Sequence, residues 1–279
     1  MNDSLRILTQ KIPKLPTIPP VADKIIQLVS NEASVVGSIV DTIEKDPAIS
    51  AKVISFANAA FYSMGQPVTT IRDAVMKIGF DNVKSIALGI SLLTLFKGKK
   101  NGDDGEYLNT IKHSMVTGVV SKEIVDFLEY RHYEDIFTSG LLHDLGLMVM
   151  NVYFPEIYAQ IIDKFKKGKS FPDAEREVCG FTHGEIGGWL ADKWNLPENM
   201  CEVILSHHNP TSASSTAVAI VHLADIIAIR RGFSPVSVDG FEGSVVGAAM
   251  QMVGMNEEGL AKLAVRIEEI VAMVRNMWL

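Results

Sequence analysis

The segment Gly140-Leu141-Leu142-His143-Asp144-Leu145-Gly146 limits what this chain can become more than any other. An imidazole and a carboxylate stand side by side there. Leu141, Leu142, Leu145, Leu147, Met148, Val149 and Met150 surround them. So apolar a setting places the segment in a core, where polar groups need hydrogen-bond partners or a metal. Two readings are open from this stretch alone. One is a hydrogen-bonded core histidine beside a cap-forming aspartate; the other is a pair of adjacent metal ligands. Gly140 and Gly146 serve plain packing, or remove bulk so that another helix can cross closely.

A chain of 279 residues can bury a sizeable core in one large or two modest domains. Its 33 acidic and 26 basic side chains leave a formal charge of -7, which does not invite a polyanion. The one basic cluster, Lys97, Lys99 and Lys100, sits in a Gly-, Asn- and Asp-containing loop and reads as solvated linker. No nucleic-acid partner is expected. No uncharged apolar run reaches about 18 residues, so no membrane span is expected either. Cys179 and Cys201 show no close pairing and no secretion signal precedes them. A reducing, cytoplasmic setting with structural thiols follows.

The spacing of apolar residues is helical from end to end. Residues 1–18 read as an extended leader, ending at Pro13, Pro16, Pro19 and Pro20. Val21, Ile25, Leu28 and Val29 then mark a first helix, and Val35, Ile39, Val40 and Ile43 a second. Asp46-Pro47 opens a third by capping, and Thr70 with Asp73 opens a fourth. A long helix is predicted over 82–96. This first part carries no histidine or cysteine. Asn58, Phe61 and Tyr62 form a polar-aromatic corner that is either a structural turn or a contact surface. Three parts follow from the Gly-, Asn-, Asp- and Lys-rich stretch 97–105: a helical subdomain over 1–105, a ligand-bearing helical domain over 106–231, and an extension over 232–279.

Candidate ligands accumulate in the middle part. His113 falls within a predicted helix 106–129, and His143-Asp144 within one over 133–151. Pro155 begins another, and Thr182 caps a helix that carries His183 in its first turn. His207 and His208 end a helix beside Asn209-Pro210. Asp225 is a carboxylate in a largely apolar helix over 214–230, with Arg230 and Arg231 in the wrong turn to pair with it. His132 reads as surface. His222 reads as packing, or as an outer partner of Asp225 one turn away. Asp144 can bracket one metal with His143 or bridge two. Imidazoles with carboxylates suit Fe, Mn, Zn, Ni or Co better than Mg alone. Such long spacings require a site built between helices of a bundle. Seven candidates exceed one coordination sphere, so two metals become plausible, able to clamp a phosphoryl oxygen.

His113, then His143-Asp144, then Asp225 resemble the metal-binding pattern of the HD superfamily of phosphohydrolases. Asp46-Pro47-Ala48-Ile49-Ser50, Ala57-Asn58-Ala59-Ala60-Phe61-Tyr62, Phe181-Thr182-His183-Gly184-Glu185, His207-His208-Asn209-Pro210 and His222-Leu223-Ala224-Asp225 make it resemble the HDOD domain more specifically. The resemblance covers residues 10–231. It implies an all-α multi-helix bundle, with the N-terminal helical subdomain packed on an HD-type domain, and a role in bacterial signal output. Many HDOD members lack metal ligands; this chain keeps the set. By likeness to the HD-GYP phosphodiesterases, which open cyclic di-GMP, His183, His207 and His208 complete a second metal site. Two departures oppose that substrate. Leu147 stands where HD-GYP proteins carry lysine, and Asn209-Pro210 follows His207-His208 where they carry Gly-Tyr-Pro.

Two functions are therefore weighed. The first is a regulatory module that binds one or two metals and acts through contacts with signalling proteins. The second is a metal-dependent phosphohydrolase in which Asp144 bridges the ions that activate water on a phosphoester. In the extension, Leu260, Leu263, Ile267, Ile270, Val271, Val274 and Met277 repeat at helical spacing over 257–278. That stripe covers the core or builds a homodimer contact.

Overall fold

The computed structural model describes residues 3–10, 12, 18–29, 36–58, 66–96, 104–131, 133, 135–211, 214–236 and 246–277. Pro13, Pro16, Phe61, Tyr62, Lys97, Lys99, Lys100, His132, Asp239, Gly240 and Trp278 lie outside them. Among the described residues all regular structure is helical. The first six helices are α1 (Asp3–Thr9), α2 (Pro20–Val29), α3 (Val36–Glu44), α4 (Pro47–Ala57), α5 (Ile71–Ile78) and α6 (Phe80–Leu93). A 3-10 turn, Thr94–Phe96, ends this run. The middle comprises α7 (Asp104–Phe127), α8 (Ile136–Leu142), α9 (Leu145–Tyr153), α10 (Pro155–Lys166), α11 (Phe171–Cys179), α12 (His183–Lys193), α13 (Glu198–Ser206) and α14 (Thr216–Arg230). The last helices are α15 (Val246–Met252) and α16 (Glu257–Met277).

Local chemistry explains several of these boundaries. The Asp46 carboxylate accepts from the N–H groups of Ala48 and Ile49, with Pro47 in the first helical position. Thr70 accepts from the N–H of Asp73. Thr182 and Glu185 make a reciprocal capping box at the start of α12. The expected leader is corrected in part: residues 3–9 are helical, with Leu5 and Leu8 buried. So short a helix is held by docking those leucines, not by its own propensity.

α7 is the axis of the bundle, packed on α8, α14 and α16. Ile111, Met115 and Val119 face one apolar cluster that runs from Leu5 to Val236 and joins the N-terminal helices to α8–α13. Val116, Val120, Ile124 and Val125 face a second cluster formed with α14, α15 and α16. A helix covered on both sides buries many of its polar residues: Thr110, His113, Ser114, Thr117, Ser121 and Glu123 are all buried, while Lys122 and Asp126 keep partial exposure. Leu263, Ile267 and Val271 of α16 close the second cluster. Arg266 of the same helix forms an ion pair with the buried Glu123. No single helix among the described residues is long and apolar enough to cross a membrane.

Asn58, at the end of α4, is tied to Val68 ahead of α5. Its side-chain amide donates to the Val68 carbonyl at 2.7 Å and its oxygen accepts from the Val68 N–H at 2.8 Å. Asn58→Ala leaves both Val68 groups unpaired. It is expected to cost about 1–3 kcal/mol, read as a lowered midpoint in urea denaturation. An unchanged midpoint would show that other contacts hold Val68 in place.

Candidate metal centre

The predicted helix over 133–151 is two helices, broken at His143 and Asp144. The break has a chemical cause. His143 donates from Nδ1 to the Gly140 carbonyl at 2.7 Å, the acceptor that the N–H of residue 144 would use in an unbroken helix. The turn lets two adjacent side chains converge, which positions about 100° apart on one helix could not do. The same device recurs at the end of α13, where His207 Nδ1 donates to the Ile204 carbonyl at 3.0 Å and His208 follows in the turn. Each histidine-led pair thus ends its helix with a ring bond to the carbonyl three residues back.

These turns, together with α7, α12 and α14, bring all seven expected side chains to one place. His113 Nε2 lies 3.1 Å from His143 Nε2, 3.4 Å from Asp144 Oδ2 and 3.2 Å from Asp225 Oδ1. His143 Nε2 lies 3.3 Å from the same Asp144 oxygen. On the other side, Asp144 Oδ1 is 3.4 Å from His183 Nε2 and 3.6 Å from His207 Nε2. His183 Nε2 is 3.2 Å from His207 Nε2 and 3.0 Å from His208 Nε2. Asp144 therefore turns one oxygen to each of two imidazole groups.

The protons decide what such a cluster can hold. His113 donates from Nδ1 to the Phe233 carbonyl at 2.8 Å, and His143 and His207 donate to carbonyls as described. His183 Nδ1 points at Glu175 Oε1, 2.8 Å away. With Nδ1 protonated, each ring in its neutral form presents a bare Nε2 lone pair, His183 only once it gives up the proton its carboxylate neighbours hold. These lone pairs face one another and two carboxylates at about hydrogen-bond distance, with the Asp225 Oδ1 atom buried and unpartnered. An ion with bonds of about 2.0–2.1 Å separates its ligand atoms by about 2.9–3.4 Å, which covers the distances above except the 3.6 Å from Asp144 Oδ1 to His207 Nε2. Asp144 with His183, His207 and His208 forms one group able to hold an ion, and His113 with His143 and Asp144 another. The donor set fits a transition metal.

Charge follows the same pattern. Burial would raise the Asp144 carboxyl, but His143 foremost, then His183 and His207, hold it well below the usual carboxylate range. Asp225 is likewise lowered: burial opposes this, and His113 and His143 outweigh it. Burial works against a charged His183, yet the carboxylates of Glu175 and Asp144 raise it to about 10. Burial takes His207 down to about 4.

Two residues at this centre carry roles that their sequence setting did not reveal. Glu175 reads as part of a helix restart, but it is fully buried against His183. The available signal is its place in the stripe Phe171, Ala174, Glu175, Val178, where an acid interrupts apolar spacing. His222 braces the second turn, donating from Nδ1 to the His207 carbonyl at 2.7 Å. Cys179 is an inert thiol: burial pushes it up to about 11, and it donates to the Glu175 carbonyl.

Comparison with known proteins identifies the family and the fold. The family model of the HDOD domain matches residues 15–210. The crystal structure of an HDOD domain protein with unknown function from Geobacter sulfurreducens is 25% identical, with a TM-score of 0.82 over 98% of this chain and 96% of its own. A protein from Shewanella amazonensis SB2B shares the fold at 24% identity, with a TM-score of 0.76 over 96% of this chain and 97% of its own. An uncharacterized protein of Treponema pallidum (strain Nichols) is 23% identical over 205 residues, 72% of this chain. The match spans only 39% of that relative's length.

Proposed function

The chain belongs to the HDOD domain family, and on that premise we propose that it is a bacterial signal-output module, stapled internally by one or two transition-metal ions and acting through protein contacts. One position would be held by His113, His143, Asp144 Oδ2 and Asp225, the other by Asp144 Oδ1, His183, His207 and His208. The observation that carries this reading is burial. The side chains of His113, His143, Asp144, His183, His207 and Asp225 are at most 3% exposed, and only His208, at 21%, reaches the surface. A centre so enclosed ties five helical segments together and leaves recognition to the exterior. The outer face of the N-terminal helices, beside Asn58 at the end of α4, is the surface we assign to a signalling partner. Leu263, Ile267 and Val271 of α16 are spent inside the chain, which leaves the face with exposed Val265 for a second copy. The setting is the cytoplasm, where Cys179 and Cys201 stay reduced.

A specific observation favours a second reading, a metal-dependent phosphohydrolase. Asp144 presents its two oxygens to two separate imidazole groups, and His208 opens one of them toward solvent. When bound, paired ions supply a nucleophile at neutral pH and a clamp for phosphoryl oxygens. In that case Asp144 would orient the pair and His208 would stand at the side from which a phosphoester approaches. The test is metal analysis of protein purified without chelators, followed by assay on a panel of phosphomonoesters, phosphodiesters and cyclic dinucleotides with Fe, Mn, Zn, Ni or Co. The module reading expects bound metal and no turnover. Metal-dependent hydrolysis that disappears in Asp144→Ala would overturn it in favour of the enzyme.

Metal uptake is also expected to release protons. His183, raised to about 10, holds a proton at neutral pH in the metal-free state, whereas His207, lowered to about 4, does not. An ion must displace the His183 proton, so affinity rises with pH by about tenfold per unit from neutrality toward pH 10. Calorimetry in buffers of different ionisation enthalpy reads the proton count directly. Affinity independent of pH over this window would contradict the assignment of His183.

A further inference from the structure

One imidazole of the centre, His183, is braced by a side chain. His113, His143 and His207 each donate from Nδ1 to a backbone carbonyl. His183 instead donates to a carboxylate, Glu175 Oε1 at 2.8 Å, and its backbone N–H donates to the same oxygen at 3.0 Å. Glu175 is fully buried, and its other oxygen, Oε2, has no hydrogen-bond partner. A buried carboxylate with an orphaned oxygen is costly unless positive charge lies close by.

The inner carboxylates are also unevenly shared. Asp225 Oδ1 and Asp144 Oδ2 both lie within 3.4 Å of His113 Nε2, whereas His183 and His207 share Asp144 Oδ1 at 3.4 and 3.6 Å, and Asp225 Oδ2 lies farther off, 3.9 Å from His208 Nδ1. Two divalent ions would bring four positive charges against the two negative charges of Asp144 and Asp225. From this we infer that Glu175 is the counter-charge and positioning residue of the His183, His207 and His208 position. It fixes the His183 tautomer, strengthens Nε2 as a donor and supplies the negative charge that Asp225 supplies on the other side. The inference rests on the metal-binding reading above.

The test is Mn2+ titration of the metal-stripped full chain, followed by calorimetry and electron paramagnetic resonance. The wild type is expected to take up two ions and show an exchange-coupled signal, since Asp144 would link them. In Glu175→Gln the first ion is expected to bind within about twofold of wild type. The second is expected to bind about 10–100-fold more weakly, with the coupled signal lost. Asp225→Asn is expected to weaken the opposite position. Glu175→Asp keeps the charge and is expected to retain the coupled signal. It also serves if the glutamine variant fails to fold, and loss of coupling there would overturn the charge argument. A wild type that binds no ion overturns the metal reading and this one together. A wild type with two ions, and a glutamine variant whose second ion binds equally well, overturns this inference alone.

Discussion

Asp144→Ala is expected to empty both metal positions in one step. Each imidazole group meets a different oxygen of this one carboxylate, so no single-position loss is available to the variant. Apparent affinity should fall at least about 100-fold at each position, beyond the range that outer-shell changes produce. Stability should fall as well, for two separable reasons. An ion present at about 100 times its dissociation constant contributes about 2.7 kcal/mol to the folded state, and the variant forfeits that. The metal-free protein also loses a carboxylate that its imidazole neighbours hold below the usual range. A group with a lowered folded pKa stabilises the protein above its unfolded pKa, and that contribution fades as pH falls through the folded value. The variant should therefore melt below metal-free wild type at neutral pH, with the gap closing in acid. Scanning calorimetry with and without chelator checks both parts. The chelator should lower the wild-type melting temperature and leave the variant's unchanged. Wild-type metal content in the variant would remove Asp144 from its shared role.

Much of this centre could be read from residue types in their setting. An imidazole or carboxylate inside a run such as Leu141 to Met150, or Val218 to Ile227, has few ways to be tolerated, and convergence on other such groups is one of them. Caps were equally legible, because Asp46-Pro47 and Thr182 with Glu185 act within four residues of themselves. The break at His143 was not. Neither glycine nor proline stands at it, and the apolar spacing runs on as if the helix continued. What ends the helix is the His143 ring taking the Gly140 carbonyl, a contact with no mark in periodicity. Glu175 was hidden for a related reason. Acids are common at helix starts, so an acid in an apolar stripe is easily read as a cap until the partner, eight residues on, is seen. The helix over residues 3–9 escaped because two leucines are too few to define a stripe.

Gly146→Ala should be the most damaging substitution outside the ligands themselves. Gly146 opens α9 where that helix crosses the start of α12. A Cβ there would stand 1.9 Å from the His183 carbonyl oxygen and 2.6 Å from its carbon. A Cβ on Gly187 would meet the Gly146 nitrogen at 2.9 Å, so the two backbones touch. No rotamer change relieves a clash with backbone; α12 must move. Overpacking typically costs about 1–3 kcal/mol, and a clash with backbone puts this variant at the upper end of that range. Because the displaced residue is His183, the cost should fall on metal binding too, and selectively on the position shared with His207 and His208. Gly168→Ala makes the control. That residue has φ of +92° and open space around its Cβ, so the change costs about 1–2 kcal/mol of backbone strain and should leave metal content intact. Equal metal loss in both variants would mean that general destabilisation empties the centre. Loss in Gly146→Ala alone, at a temperature where both remain folded, would mean that the close crossing of α9 and α12 sets the position of the imidazole.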